Sequence, residues 1–145
     1  MTTSSAQPTR LSRRSTGGLG LLGALTLGDS AYLHSRIAVE RPPLFADGQV
    51  TLSGLFVAQA SAAALVVIWV VVRPSVVAWL AFGAVAAGSL GALVLSVYVQ
   101  VPSIGPFPVI YEPLWYQDKY LATASAAAAV LVALVALVWL RRLAR

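Results

Sequence analysis

The sequence predicts an all-α fold, an antiparallel four-helix transmembrane bundle with both termini cytoplasmic. Three observations carry that expectation. The chain is 59% hydrophobic and only 10% charged over 145 residues, far too apolar for an ordinary soluble domain of that length. Its apolar residues gather into runs of about 20, the length that crosses roughly 30 Å of hydrocarbon. Its ionisable side chains are sorted between opposite ends of those runs, as the positive-inside rule requires of membrane helices.

Residues 1–16, MTTSSAQPTRLSRRST, are polar and carry Arg10, Arg13 and Arg14 just before the first apolar run; they read as a disordered basic cytoplasmic tail. Residues 17–145 read as one four-helix membrane domain. Ser12-Arg13-Arg14 before a Gly/Leu-rich stretch also has the pattern of a secretory or twin-arginine leader. No clear A-x-A cleavage sequence follows, and Asp29 would occupy the −3 position of a cut after Ala31, so the first span is expected to stay in place.

The spans are expected at about Gly17–Ile37, Leu52–Val72, Val76–Val99 and Tyr120–Leu140. The last three contain no Asp, Glu, Lys or Arg, whereas Asp29, His34 and Arg36 fall in the second half of the first. Arg73-Pro74-Ser75 is so short a connection that it forces a helical hairpin, with proline beside the first turn of the next helix. The stretch 38–51 contains Pro42, Pro43 and Asp47-Gly48. The stretch 100–119 contains Pro102, Pro106, Pro108 and Pro113, and is too proline-rich for a long helix and too apolar to float free. It is expected to fold back over the outer mouth of the bundle. Asp118 reads as the N-cap of the fourth span.

Orientation follows from the charges. Arg10, Arg13, Arg14, Arg73, Arg141, Arg142 and Arg145 lie at one set of ends, and all of Asp29, Glu40, Asp47, Glu112 and Asp118 lie toward the other, together with Arg36, Arg41 and Lys119. The first set belongs inside the cell, which places the protein in the plasma membrane with cytoplasmic termini. Trp69, Trp79 and Trp139 at the inner ends, and Tyr32, Tyr98, Tyr111, Tyr116 and Tyr120 at the outer ends, read as interfacial anchors. The net charge of +5 is explained by the same rule, and without aromatic-interleaved basic motifs it does not indicate nucleic acid.

Helix contacts in lipid run through small residues. Gly83, Ala87 and Gly91 form one such row, Ala84, Gly88 and Ala92 a second, and Ser61 to Ala64 and Ala122 to Ala129 offer comparable surfaces. Packing within the bundle is the simpler use of these rows; a homodimer face is the other.

Asp29 is the most informative side chain, about eight residues or roughly 12 Å below the outer boundary. A lipid-facing carboxylate there costs several kcal/mol, so it should be protonated, paired or turned to a wet cavity. Gln59 enters the second span to a similar depth, and Thr123 and Ser125 enter the fourth from the same side. Asp29, His34, Gln59, Glu112 and Lys119 are therefore the candidate lining of an outer-half polar cavity or ligand site, with Arg36 or Lys119 neutralising Asp29. A purely structural polar cluster is the plainer reading. Glu112 is equally explained by a rim salt bridge with Arg41 or Lys119.

No metal or cofactor site is expected. The chain has one histidine and no cysteine, its methionine is the initiator, and no repeated histidine spacing is present, which argues against zinc and haem alike. Neither a nucleophile elbow, a P-loop nor a dinucleotide fingerprint occurs, so a non-enzymatic protein is expected.

His34 late in the first span, SGLFVAQA (Ser53–Ala60), the Arg73-Pro74 turn and PSIGPFP (Pro102–Pro108) together resemble the small four-span membrane proteins of high-GC actinobacteria, over roughly residues 18–140. The resemblance implies an inner-membrane protein rather than an enzyme class. That pattern often has a further histidine near the outer loop, which is missing here, so no metal role and no catalytic residue is carried over. The expected function is that of an accessory or interaction protein of the plasma membrane, its partners the lipid bilayer and another membrane subunit or a second copy. The alternative is a small transporter or ligand-binding protein built around Asp29.

Overall fold

The computed structural model describes residues 10–41 and 43–144. The chain runs through α1 (Arg10–Val39), a short antiparallel hairpin of β1 (Phe45–Ala46) and β2 (Gln49–Val50), then α2 (Leu52–Val72), α3 (Val76–Tyr98) and α4 (Gln117–Leu143). Three of the helices, α2, α3 and α4, are long and apolar enough to cross a membrane. α1 is not one of them, because Asp29, His34, Arg36 and many Ser, Thr and Gly residues dilute its apolar character.

Helical backbone begins at Arg10, so residues 10–16, expected within a disordered tail, belong to α1; residues 1–9 lie outside the described residues. α2 has the limits expected of it. Its N-cap, Thr51, accepts a hydrogen bond from Gly54 N at 3.3 Å and donates to Pro43 O at 2.6 Å, tying helix start to hairpin. Ser75 caps α3 in the same way, accepting from Ala78 N at 3.1 Å. α4 begins earlier than expected, at Gln117, because a search for apolar residues overlooks a polar first turn. Its N-cap is Tyr116, without a side-chain cap bond; Asp118 lies in the first turn, where the helix dipole still favours an anion.

Glycine is required at position 54. A Cβ there would lie 2.6 Å from Leu44 O and 2.8 Å from Val50 Cγ1, so the hairpin can rest on α2 only because no side chain intervenes. Val50 N in turn donates to Pro106 O at 3.0 Å, and Glu112 N donates to Ser96 O at 2.7 Å. The segment between α3 and α4 is thereby pinned to both the hairpin and the end of α3, and folds back over the bundle.

The four helices form a ring in which α1 packs on α2 and α4, and α3 packs on α4 and α2, with the α2–α3 contact the sparsest. Trp79 and Phe82 fill the centre, edge to face with centroids 5.1 Å apart. Trp79 is thus a core residue rather than an interfacial anchor, unlike the exposed Trp69 and Trp139. Gly23 of α1 makes room for it: a Cβ would lie 3.2 Å from the tryptophan ring. α4 turns an alanine face inward, with Ala122, Ala126, Ala129, Ala133 and Ala136 all buried.

On α3 the inward face is Ala78, Trp79, Phe82, Ala86, Ser89, Leu93 and Ser96. The two small-residue rows lie beside it. Gly83 meets Ala133, but Ala84, Ala87, Gly88 and Ala92 are exposed.

Candidate functional site

Polar residues at the end of the bundle that carries the hairpin and the 99–116 segment fall into three groups. The first joins α1 to α4. Ser125 Oγ donates to Asp29 Oδ2 at 2.5 Å, and Arg36 Nη2 lies 3.2 Å from Asp118 Oδ2. Asp29 and Arg36 are seven positions apart on α1, as are Asp118 and Ser125 on α4, so the antiparallel helices meet in two matching rungs. Asp29 is exposed, and its partner is Ser125 rather than Arg36 or Lys119.

The second group is an ionic cluster beneath the cap. Arg41 pairs with the Glu112 carboxylate and donates to Tyr116 Oη at 3.1 Å. Lys119, with a side chain that is 0% exposed, donates from Nζ to Glu112 O at 2.7 Å and lies 3.4 Å from Glu112 Oε2. Two cations thus share one carboxylate, and aromatic faces take part of the surplus charge: Arg41 stands 5.3 Å from the Phe56 ring centroid and Lys119 Nζ 5.7 Å from that of Trp115. Burial alone would lower the pKa of Arg41, but the hydrogen bond and charge of Glu112 outweigh it and raise it. Burial, then the Glu112 carboxylate, raises the Tyr116 hydroxyl.

The third group lines a cavity of about 250 Å³ between α2 and α3. α1 closes its back with His34, residues 110–112 roof it, and α2 and α3 supply Leu52, Phe56, Gln59, Ser89 and Ser96. His34 is held by a 2.7 Å bond between Nδ1 and Ser30 O, by an edge contact with Phe56, and by Ser89 Oγ at 3.4 Å from Nε2. Gln59 Nε2 donates to Val85 O at 3.3 Å across the α2–α3 gap.

No family model matches the chain, and no curated protein or solved structure matches it. Its chemistry has to be read from its own residues.

Of the five residues expected around one cavity, the structure brings His34, Gln59 and Glu112 to its wall. Lys119 holds Glu112 from behind. Asp29 stands apart on the α1–α4 side. Five residues turn an α-helix through about 500°, which sets Asp29 and His34 about 140° apart, so one cannot face α4 while the other faces the same wall. Ser89, Ser96 and Phe56 were not singled out from the sequence. Ser89 and Ser96 carried a usable signal, being seven apart and therefore on one face of an otherwise apolar helix.

Among the described residues, no group of three or more His, Asp or Glu side chains could hold a metal ion. Ser53 is the buried side chain whose hydroxyl has no hydrogen-bond partner among them.

Proposed function

We propose that this is a four-span plasma-membrane protein with cytoplasmic termini that binds a small lipid-soluble ligand in the outer half of its bundle. The observation that carries the reading is the cavity between α2 and α3. It has mostly apolar walls and a few convergent polar groups, the usual form of a small-molecule site. Its volume lies a little under the range of about 300–1,000 Å³ that encloses drug-sized molecules. A ligand would fill it with its head and leave the rest of an apolar body among the lipid chains. The arginine sorting and the resemblance to four-span actinobacterial proteins support the topology. So does the length of α1, whose 30 residues would reach roughly 45 Å.

Ala92 is exposed and lines the cavity, so Ala92→Phe should fill the site without disturbing the core. Mass spectrometry of organic extracts from the purified wild type should show a lipid-soluble compound that the variant lacks. Identical extracts would count against the reading. The chain has no cysteine, so single cysteines at Gly48 and Ser75 test topology directly: a membrane-impermeant thiol reagent should label the first in intact cells and leave the second untouched.

A second reading, an accessory subunit that docks on another membrane protein, is favoured by the exposed Ala84, Ala87 and Gly88 on α3, where nothing lies within 4 Å of a Cβ at Gly88. Gly88→Leu should then leave the monomer folded and abolish co-purification of a stoichiometric partner from mild detergent. Recovery of monomer alone from the wild type would exclude it.

A further inference from the structure

The hydrogen-bonding groups around the cavity are unevenly used. His34 Nδ1 faces a carbonyl oxygen, which can only accept, so Nδ1 carries the proton and donates to Ser30 O. In the neutral ring Nε2 is then a lone pair, contacted only by Ser89 Oγ at a long 3.4 Å. Gln59 has one N–H committed to Val85 O, which orients its amide and leaves its second N–H and Oε1 without a protein partner among the described residues. Ser96 Oγ donates to Leu93 O at 2.9 Å, so its remaining capacity is as an acceptor. Glu112 also lines the cavity, but its carboxylate is already shared between Arg41 and Lys119. The His34 lone pair is therefore an acceptor on this lining that lacks a well-formed bond.

From this lone pair, and resting on the ligand-binding reading above, we infer that the cavity takes a neutral hydroxyl compound with an apolar body, an alcohol or phenol, whose O–H donates to His34 Nε2. Such a donor would replace the long Ser89 contact with a well-formed bond and free Ser89 Oγ to bond the ligand oxygen in turn. Gln59, on the same lining, offers Oε1 as a second acceptor.

Charge selects against an ammonium donor. Glu112 is already shared between Arg41 and Lys119, and the surplus is positive. A cationic ligand would meet net repulsion in a setting of low dielectric. An ether or hydrocarbon of the same shape would fill the apolar space but leave Nε2 unbonded, and rejection of an analogue that lacks the hydrogen-bonding group is characteristic of buried polar sites.

Because His34 is the only histidine, nitrogen-15 labelled histidine reports on this ring alone. In nanodiscs of saturated phosphatidylcholine, the free protein should give the Nδ1–H tautomer. Dodecanol, nonylphenol or both should move the Nε2 resonance saturably, whereas the methyl ethers of these compounds should not. Which of the two acts decides between an aliphatic and an aromatic head. Gln59→Leu should weaken the response by roughly fivefold to tenfold, the loss expected for one hydrogen bond. Equal shifts from alcohols and ethers would overturn the hydroxyl inference while leaving a lipid-soluble ligand in place. No shift from any of the four compounds would overturn both.

Discussion

The ammonium of Lys119 rests 2.7 Å from the backbone carbonyl of Glu112, inside a side chain wholly removed from solvent. One lysine on α4 thereby fixes the backbone of the cap that roofs the cavity. Lys119→Met keeps the length of the side chain but leaves that carbonyl without its donor, a loss of about 1–3 kcal/mol. Thermal unfolding in mild detergent should register the loss. The loss in the double variant Lys119→Met, Glu112→Gln should fall short of the sum of the two single losses, because the residues share one network.

The hairpin rests on α2 through a contact too close for any side chain. Gly54→Ala drives a methyl group toward Leu44 O and should destabilise by roughly 1–3 kcal/mol, with faster proteolysis of the hairpin. Gly88→Ala is the control. It stands in open space on a helix, where alanine is the better helix former, and should be neutral or stabilising by up to about 1 kcal/mol.

Ser53 is 1% exposed and its hydroxyl has no partner among the described residues. Deleting an unsatisfied buried polar group removes a penalty of about 1–3 kcal/mol, so Ser53→Ala should raise the melting temperature. A lower melting temperature would show that the hydroxyl is hydrogen-bonded in the folded protein.

Tyr116 should titrate above an ordinary phenol, held neutral by burial and by the Glu112 carboxylate. A group whose folded-state value is raised contributes stability that is complete below its unfolded value and is lost as pH rises through the folded one. The stability of wild type relative to Tyr116→Phe should therefore fall as pH rises from neutral to strongly alkaline. An absorbance titration checks the assignment, since a tyrosine transition above the ordinary phenol range should vanish in the variant.

Asp29→Asn preserves an acceptor for Ser125 and should leave both folding and the ligand content of the cavity unchanged. Ser125→Ala, which removes the donor, should cost about 1 kcal/mol. If the cavity carries the proposed ligand, altered ligand content in Asp29→Asn would return Asp29 to the candidate site.

Much of the fold was legible because its signals are local. The limits of α2 follow from the end of an apolar run at Arg73-Pro74 and a threonine cap before Leu52. The ends of α1 and α4 were misjudged where polar residues continue the helix, at Arg10 and Gln117, since hydropathy reports solvent preference rather than backbone conformation. In the site, His34, Gln59, Glu112 and Lys119 stood out as polar groups near or within apolar runs. What the sequence left open was rotation. Gly83, Ala87 and Gly91 look like a packing row, yet α3 turns Phe82, Ala86 and Ser89 inward, because the bulk of Trp79 and Phe82 needs the centre. The Arg41–Glu112 pair joins residues that no local spacing connects, so the sequence offers Arg41 and Lys119 as equal partners for Glu112.

The closed ring of helices also sets a schedule for synthesis. The back wall of the cavity belongs to α1, the sides to α2 and α3, and the roof to the segment that leads into α4. A nascent chain that has delivered only the first three helices presents His34 in an unroofed trough. Lys119, which fastens the roof, emerges with the opening turn of the last helix. The cavity is therefore complete only once the final helix has joined the bundle, and the order of synthesis leaves its roof to be fastened last.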